Sequence, residues 1–278
     1  MAIVITGTSI TAPDGAIDAG DLTGDIDASL LTGTLPALDG SALTGLSGGA
    51  AVPDWDPSTT PDEEFLVSGT WTRPSGYADT DWVTFYLVGG GGGGSAPTNT
   101  GDYWRLGGAG GRAHVFIAKI NSLPATLTIT VGAGGGNNAA GGATIVADSD
   151  GNSIAAGGGG SGSGNNTYVN GGLGQLTNWP ASVPDPLEGE PPIKLDYAGT
   201  GNYGQTPTGD DSIYGGGSGQ GGTSGTAGEP GGTSTYAGNG GAIGQSGFQP
   251  GGGGGGGARG VASNGATGGA GSVRIWYG

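Results

Sequence analysis

Between Asp81 and Val88 the side chains of an extended segment are mainly apolar on both faces: Trp82, Thr84, Tyr86 and Val88 share one side, and Val83, Phe85 and Leu87 the other. Period-two alternation that is apolar on both sides predicts a buried strand. The strand runs without a break into six glycines, Gly89–Gly94. The same grammar returns in LTITVGAGGG at Leu127–Gly136, in NSIAAGGGG at Asn152–Gly160, and in the seven glycines Gly251–Gly257 that precede the closing SVRIWYG. Further strand patterns lie in RAHVFIAKI at Arg112–Ile120, ahead of a break at Leu123-Pro124, and in ATIVADSDGNSIAAGG, where Asp150-Gly151 supplies a hairpin turn. In EEFLVSGTWT, Phe65, Val67 and Trp71 alternate as one strand, and Arg73–Gly76 then turns the chain. The final Val273, Ile275 and Tyr277 are expected to pair with the early strands and close the sheet. From Gly157 to Ala270 the pattern lapses into Pro, Asn, Ser, Thr and Gly punctuated by single aromatics, which predicts a long loop excursion at one end of a closed β unit.

Composition changes this picture. Glycine supplies 71 of 278 residues, while apolar residues make up only 33%; ordinary chains hold about 7% glycine. A conventional single core cannot be filled from this stock, so much of the backbone must be satisfied by other backbone. Glycine tracts can adopt the left-handed polyproline-II form, with three residues per turn and a rise of about 3.1 Å, so that six residues span roughly 18 Å. Without Cβ atoms such tracts can pack closely, joined by N–H···O bonds and weak Cα–H···O contacts. The other reading is that they are mobile loops, since each ordered glycine costs roughly 0.5–1 kcal/mol relative to alanine.

The N-terminal part has a different grammar. Leu-Thr-Gly recurs in DLTG at Asp21, LLTG at Leu30 and ALTG at Ala42. The leucines Leu22, Leu30, Leu31, Leu35, Leu38, Leu43 and Leu46 are too sparse for a core within one chain but suffice for one wall of a coaxial homotrimer. A disordered acidic arm is the alternative. Ser47–Pro61, rich in Gly, Pro and Asp, marks a boundary. The chain therefore divides into an acidic attachment or stem region at 1–46, a linker at 47–61 and a glycine-rich β tip at 62–278.

The net charge of −16 is uneven: eleven of the 23 acidic residues lie within residues 1–64, which hold no Lys or Arg. Phosphate needs a basic face, so nucleic acid is not an expected partner. Aligned acidic copies repel one another, and a basic socket on another protein, divalent cations or salt screening would offset this. The absence of cysteine suits synthesis in a reducing cytoplasm. The opening MAIVITGTSITAPDGA lacks the basic n-region of a signal peptide, and no run approaches 18 apolar residues, so neither a leader nor membrane insertion is expected.

Catalysis needs convergent titratable groups, and few converge. His114, the only histidine, falls on the Phe116, Ala118 and Ile120 side of its strand and reads as a satisfied strand residue rather than a general base. No G-x-S-x-G elbow offers a nucleophile. Asp210-Asp211 and Glu188/Glu190 sit in polar loops without the burial that raises a carboxyl pKa. Asp148-Ser149-Asp150-Gly151-Asn152 is similar to the start of a calcium loop but lacks the later bidentate Glu, and a hairpin turn accounts for the same residues. No glycine run carries the Asp of a calcium nonapeptide or the G-K-[ST] of a phosphate loop. No enzyme activity, catalytic residue, metal ligand or cofactor is predicted. Aromatics among Gly, Asn and Ser instead give rigid stacking area with adaptable hydrogen bonding. Asp102, Tyr103, Trp104 and Arg105 form the best cluster, an aromatic pair between opposite charges, suited to a sugar ring or a protein loop. The alternative is that Tyr103 and Trp104 cap the glycine wall. Tyr168, Trp179, Tyr197, Tyr203, Tyr214 and Tyr236 complete the candidate recognition set.

The ordered pieces SGTWTRPSGY, VTFYLVGGGGGG, GGAGGRA, LPATLTITVGAGG, AAGGGG and GGAGSVRIWYG resemble the glycine-rich domain at the ends of tailed-bacteriophage fibre proteins, over roughly residues 62–278. LLTGTLPALDGSALTGL is similar to segments of trimeric fibre shafts. The resemblance implies an all-β protein: an intertwined trimeric stem followed by a β-sandwich or jelly-roll-like tip with polyglycine-II-like segments and long loops. It also implies a virion fibre or spike that adheres noncovalently to a host-surface receptor, glycan or outer-membrane protein, with its N-terminus docked on another virion protein. A structural capsid or tail decoration fibre without a receptor is the rival. Tyr168–Phe248 matches no family motif, so no family binding residue carries over there.

Overall fold

A computed structural model of the chain describes residues 56–95, 107–162, 175–177, 209, 211–221, 230–257 and 265–278, and the expected stem at 1–46 lies outside them. Two antiparallel sheets share one core. The first contains β1 (Glu63–Phe65), β3 (Trp82–Val88), β4 (Ala113–Lys119) and β9 (Ser272–Tyr277) in the order β1-β9-β3-β4. The second contains β2 (Gly69–Thr72), β5 (Thr126–Thr130), β6 (Thr144–Ala147), β7 (Ser153–Ala156) and β8 (Gln175–Thr177) in the order β2-β5-β6-β7-β8. No α-helix occurs among the described residues, so the described fold is all-β.

The buried strand expected at 81–88 is β3, with every residue buried. Its Val83, Phe85 and Leu87 enter the core between the sheets, where they meet Trp71, Leu127, Ile129, Val146, Ile154 and Ile275. Phe85 packs edge-on against Trp71 with ring centroids 5.4 Å apart. Trp82, Tyr86 and Val88 face the other way and form a second cluster with Val115 and Ile117 of β4. An apolar strand two-faced in this way needs cover on both sides, and the first sheet has it. β6 and β7 form the expected hairpin, with Gly151 at φ +87°.

Two expectations are corrected. EEFLVSGTWT is not one strand: Leu66–Ser68 carries the chain from β1, paired with β9, to β2, paired with β5 in the other sheet. Alternation continues across the switch, so the side-chain pattern gives no sign of it. The last strand does pair with the early strands, as expected, but the β unit is not closed. β9 inserts between β1 and β3, leaving two open sheets with β1 and β4 at the edges of one and β2 and β8 at the edges of the other.

At one end of the sandwich β3, β5 and β7 run out into glycine tracts, and β4, β6 and β9 are entered from them. Thr144 ties this junction together. Its buried hydroxyl donates to the Val88 carbonyl of one sheet at 2.7 Å and accepts from the Gly132 N–H beyond β5 of the other at 3.0 Å.

The tracts are ordered by backbone hydrogen bonds with a period of three. Gly89 and Gly92 donate to Arg112 and Ala109, Gly90 and Gly93 to Gly142 and Ala139, and Gly91 and Gly94 to Gly269 and Ala266. Gly91 and Gly94 accept from Gly135 and Asn138, Gly90 and Gly93 from Gly159 and Gly162, and Gly92 and Ser95 from Gly254 and Gly257. Tract 89–95 thus has six bonded neighbours. Each neighbour is also bonded to the next around the ring, as in Ala109 to Gly160, Gly141 to Gly159, Gly142 to Ala133, Gly268 to Gly135, Gly269 to Gly252 and Gly108 to Gly254. A threefold helix with one donor and one acceptor per residue makes six such directions available, and this tract uses all of them.

Tract 251–257 is a second hub. It bonds to 89–95, 107–111, 215–220, 238–244, 245–248 and 265–270. The two hubs are adjacent, so the bundle is two fused hexagonal rings in three layers. One outer layer consists of 132–138, 265–271 and 245–248 side by side and is partly exposed; the opposite one, 157–162, 107–111 and 215–220, is largely buried. Both hubs are buried throughout. The stretch 157–270, expected as loop, therefore contributes strand β8 and several tracts of this bundle.

Candidate functional site

Hydrogen-bond register defines a distal end of the bundle, opposite the sandwich. Gly257 donates to Ser95 at 3.0 Å, Asn138 to Gly94 at 3.1 Å, Gly162 to Gly93 at 2.9 Å, Gly256 to Gln220 at 2.7 Å and Gly244 to Gly256 at 2.9 Å, while Gly94 donates to Ala266 at 2.9 Å. The tracts that bracket 96–106, 222–229 and 258–264 all end at this level, as does the tract preceding 163. Two described turns lie there as well. One, at Asn137-Asn138, places Asn138 at φ 55°, a left-handed conformation that asparagine tolerates better than most residues. The other, at Ala242–Gln245, uses Gly244 at φ +72°.

The candidates separate accordingly. Asp102, Tyr103, Trp104 and Arg105 lie outside the described residues, between Ser95 and Gly107, which are both at the distal end. Tyr168, Trp179, Tyr197 and Tyr203 also lie outside them. Tyr214 and Tyr236 are at the sandwich end, half-buried over the outer face of the first sheet. Their rings stack with centroids 5.6 Å apart and an interplanar angle of 26°.

The sequence around these tyrosines explains the docking. Ser212-Ile213-Tyr214 and Ser234-Thr235-Tyr236 are two Ser-x-Tyr units, each leading into a glycine tract, and they meet in a parallel bridge between Ser212 and Ser234. Tyr86 donates its hydroxyl hydrogen bond to the Tyr214 carbonyl, and Arg274 donates to the Tyr236 carbonyl at 2.9 Å. Asp211 accepts from the Thr233 N–H and hydroxyl, bonds that hold its carboxyl below the usual carboxylate range.

Among the described residues, two of the groups weighed for chemistry, His114 and Asp148, are occupied structurally. His114 is buried on the Phe116 side of β4, and its Nδ1 lies 3.1 Å from the Ala155 carbonyl of β7. Burial pushes the Asp148 carboxyl up, but hydrogen bonds from the Asn152 side chain and from the N–H groups of Asn152, Asp150 and Gly151 outweigh it and bring the pKa below normal. Both Asp148 oxygens serve the turn. Among the described residues no cluster of His, Cys, Asp and Glu is arranged to hold a metal ion.

Sequence reasoning missed the distal Asn137-Asn138 turn and an exposed apolar set, Leu66, Val67 and Phe248. An Asn pair interrupting a glycine tract was the available signal for the turn. Nothing in the alternation marked Val67 as exposed.

Fold and site together define a glycine-rich β domain, in which a sandwich carries a backbone-bonded tract bundle that ends in a group of connections. The glycine-rich domain family model matches residues 59–278, and the chain belongs to that family. Comparison with curated proteins gives no match.

Proposed function

We propose that this chain is a fibre or spike component of a tailed-phage virion that adheres noncovalently to a host-surface receptor, glycan or outer-membrane protein, through the distal end of its bundle. The observation that carries this reading is the convergence of tract ends around 96–106, 222–229 and 258–264 on one level of a scaffold whose two hubs are buried and backbone-bonded. A rigid frame presenting variable connections at one end is a common way to build recognition. Asp102–Arg105 supply aromatic faces and opposite charges to such a site, and Tyr168 follows a tract that ends there. The acidic region 1–46 is read as the stem of a homotrimer, with a basic socket on another virion protein as its attachment. Threefold presentation strengthens weak single-site contacts through effective concentration.

The test is binding of the labelled full chain to a panel of bacterial cells, with the Tyr103→Ala/Trp104→Ala and Trp179→Ala variants alongside. Saturable binding that falls by about tenfold or more in the variants at unchanged melting temperature supports adhesion. Binding that ignores these substitutions, or no binding to any cell type, overturns it in favour of a decoration fibre.

A further inference from the structure

We infer that the partly exposed outer layer of the bundle, with the apolar residues at its base, is the surface on which a second copy of this chain docks. The layer consists of tracts 132–138, 265–271 and 245–248. Its neighbours on the sandwich are Leu66 and Val67, in the crossover between the two sheets. Gln249 links the two parts by donating from its side-chain nitrogen to the Leu66 carbonyl at 2.8 Å and the Gly271 carbonyl at 2.9 Å. Val67 is 75% exposed, Phe248 62% and Leu66 44%, so the base of the face exposes three large apolar side chains to water.

Above the base the surface is backbone. Ala133, Gly136, Ser246 and Thr267 are exposed, and Gly134, Gly247 and Gly268 are half-buried. The N–H groups of Ala133, Gly134, Gly136, Ser246 and Thr267 and the carbonyls of Gly134, Gly247 and Gly268 have no partner among the described residues. Along Gly90–Gly94 and Gly251–Gly256 of the two hubs every such group is bonded to an adjacent tract, so these exposed ones mark open positions of the same lattice. The unpaired edge of a β-sheet is likewise a template for another chain, and charges or prolines commonly guard it. No Asp, Glu, Lys or Arg occurs within 132–143, 244–249 or 265–272.

The open groups select the occupant: the same face of a second copy presents both the N–H donors and the carbonyl acceptors that this one leaves unbonded, and charge does not oppose the match. The chain carries −16, and like-charged copies repel wherever their acids approach. This face brings two copies together without juxtaposing any charged side chain of its own. It also adjoins β1, where the segment leading from residues 1–55 joins the sandwich: Asp62 donates its N–H to Ile275 at 2.9 Å and accepts from the Tyr277 N–H at 2.8 Å. The inference does not depend on receptor binding.

The experiment is the solution mass of the full chain by light scattering across a dilution series, with Val67→Asp/Phe248→Asp and Thr267→Arg variants and hydrogen exchange on each. All three side chains are exposed, so retained melting temperatures show that the fold persists. Association of the unmodified chain that weakens by about tenfold or more in the variants, with faster exchange at Ala133, Gly134 and Thr267, supports the interface. A monomeric unmodified chain overturns it. Unchanged mass in the variants also overturns it, and leaves the trimeric stem as the source of association.

Discussion

Gly92 shows what one residue decides in this molecule. A Cβ built on it would lie 2.5 Å from the carbonyl carbon of Gly160, a backbone atom that cannot swing aside as a side chain would. Gly136, in the outer layer, has nothing within 4 Å of the equivalent position. Gly92→Ala is therefore expected to lower stability by more than the ~1–3 kcal/mol typical of an overpacked core. Gly136→Ala should be neutral or stabilise by up to ~1 kcal/mol through the unfolded chain; paired thermal melts check both. Thr144→Val keeps shape but strips the hydroxyl that serves Val88 and Gly132. Each orphaned buried group costs about 1–3 kcal/mol, and denaturant unfolding should show a loss in that range. These consequences are local, and none is visible from residue type alone: Gly92 and Gly136 are identical letters in similar runs.

Among elements, β1 and β9 form the junction between the lead-in chain and the sandwich. Glu64 accepts from Arg274 at 2.8 Å, and Glu63 accepts from the Tyr277 hydroxyl, which itself accepts from Trp71 Nε1 at 2.8 Å. Burial pushes the Tyr277 phenol above the ordinary tyrosine range, and the Glu63 hydrogen bond adds to it; burial does the same to Tyr86 under the Ser-x-Tyr units. Both folded values exceed the unfolded value of about 10. The stability linked to these phenols is therefore fully present below about pH 10 and is lost as pH rises through the folded values. Melting temperature should hold up to about pH 9.5 and then fall, and Tyr277→Phe should make the fall shallower. An equally steep fall in that variant would show that Tyr277 is not a source of the effect. At this scale the sequence was informative where side chains alternate. β3, the side of β4 on which His114 lies, and the turn at Asp150-Gly151 were all legible. The split between β1 and β2 was not, because Phe65 and Trp71 keep their alternation while the chain changes hydrogen-bonding partners.

For the whole molecule, order in the bundle is measurable. Amides of Gly89–Gly94 and Gly251–Gly257, buried and bonded to their neighbours, should exchange far more slowly than those of Ser75 and Gly76, which are exposed and have no backbone partner among the described residues. Hub glycines exchanging at the rate of an unfolded peptide would remove the scaffold on which the adhesion proposal stands. The candidate site was legible only as composition: aromatic and charged residues between glycine tracts. That the segment carrying Tyr103 and Trp104 starts and ends at the same bundle end as 222–229 and 258–264, while Tyr214 and Tyr236 dock at the other, follows from which tracts are neighbours. Glycine supplies no side chain from which adjacency can be read.

By itself the sequence determined the strands with a buried face, β3 to β7 and β9, because burial on one or both faces leaves a period-two trace in side-chain type. It also determined that backbone must satisfy backbone, because a quarter of the residues have no side chain to bury. Only the tertiary structure decided which tract lies beside which, which two become hubs and which layer is left open. Those choices are made by N–H and C=O groups, which every residue in a glycine run carries alike.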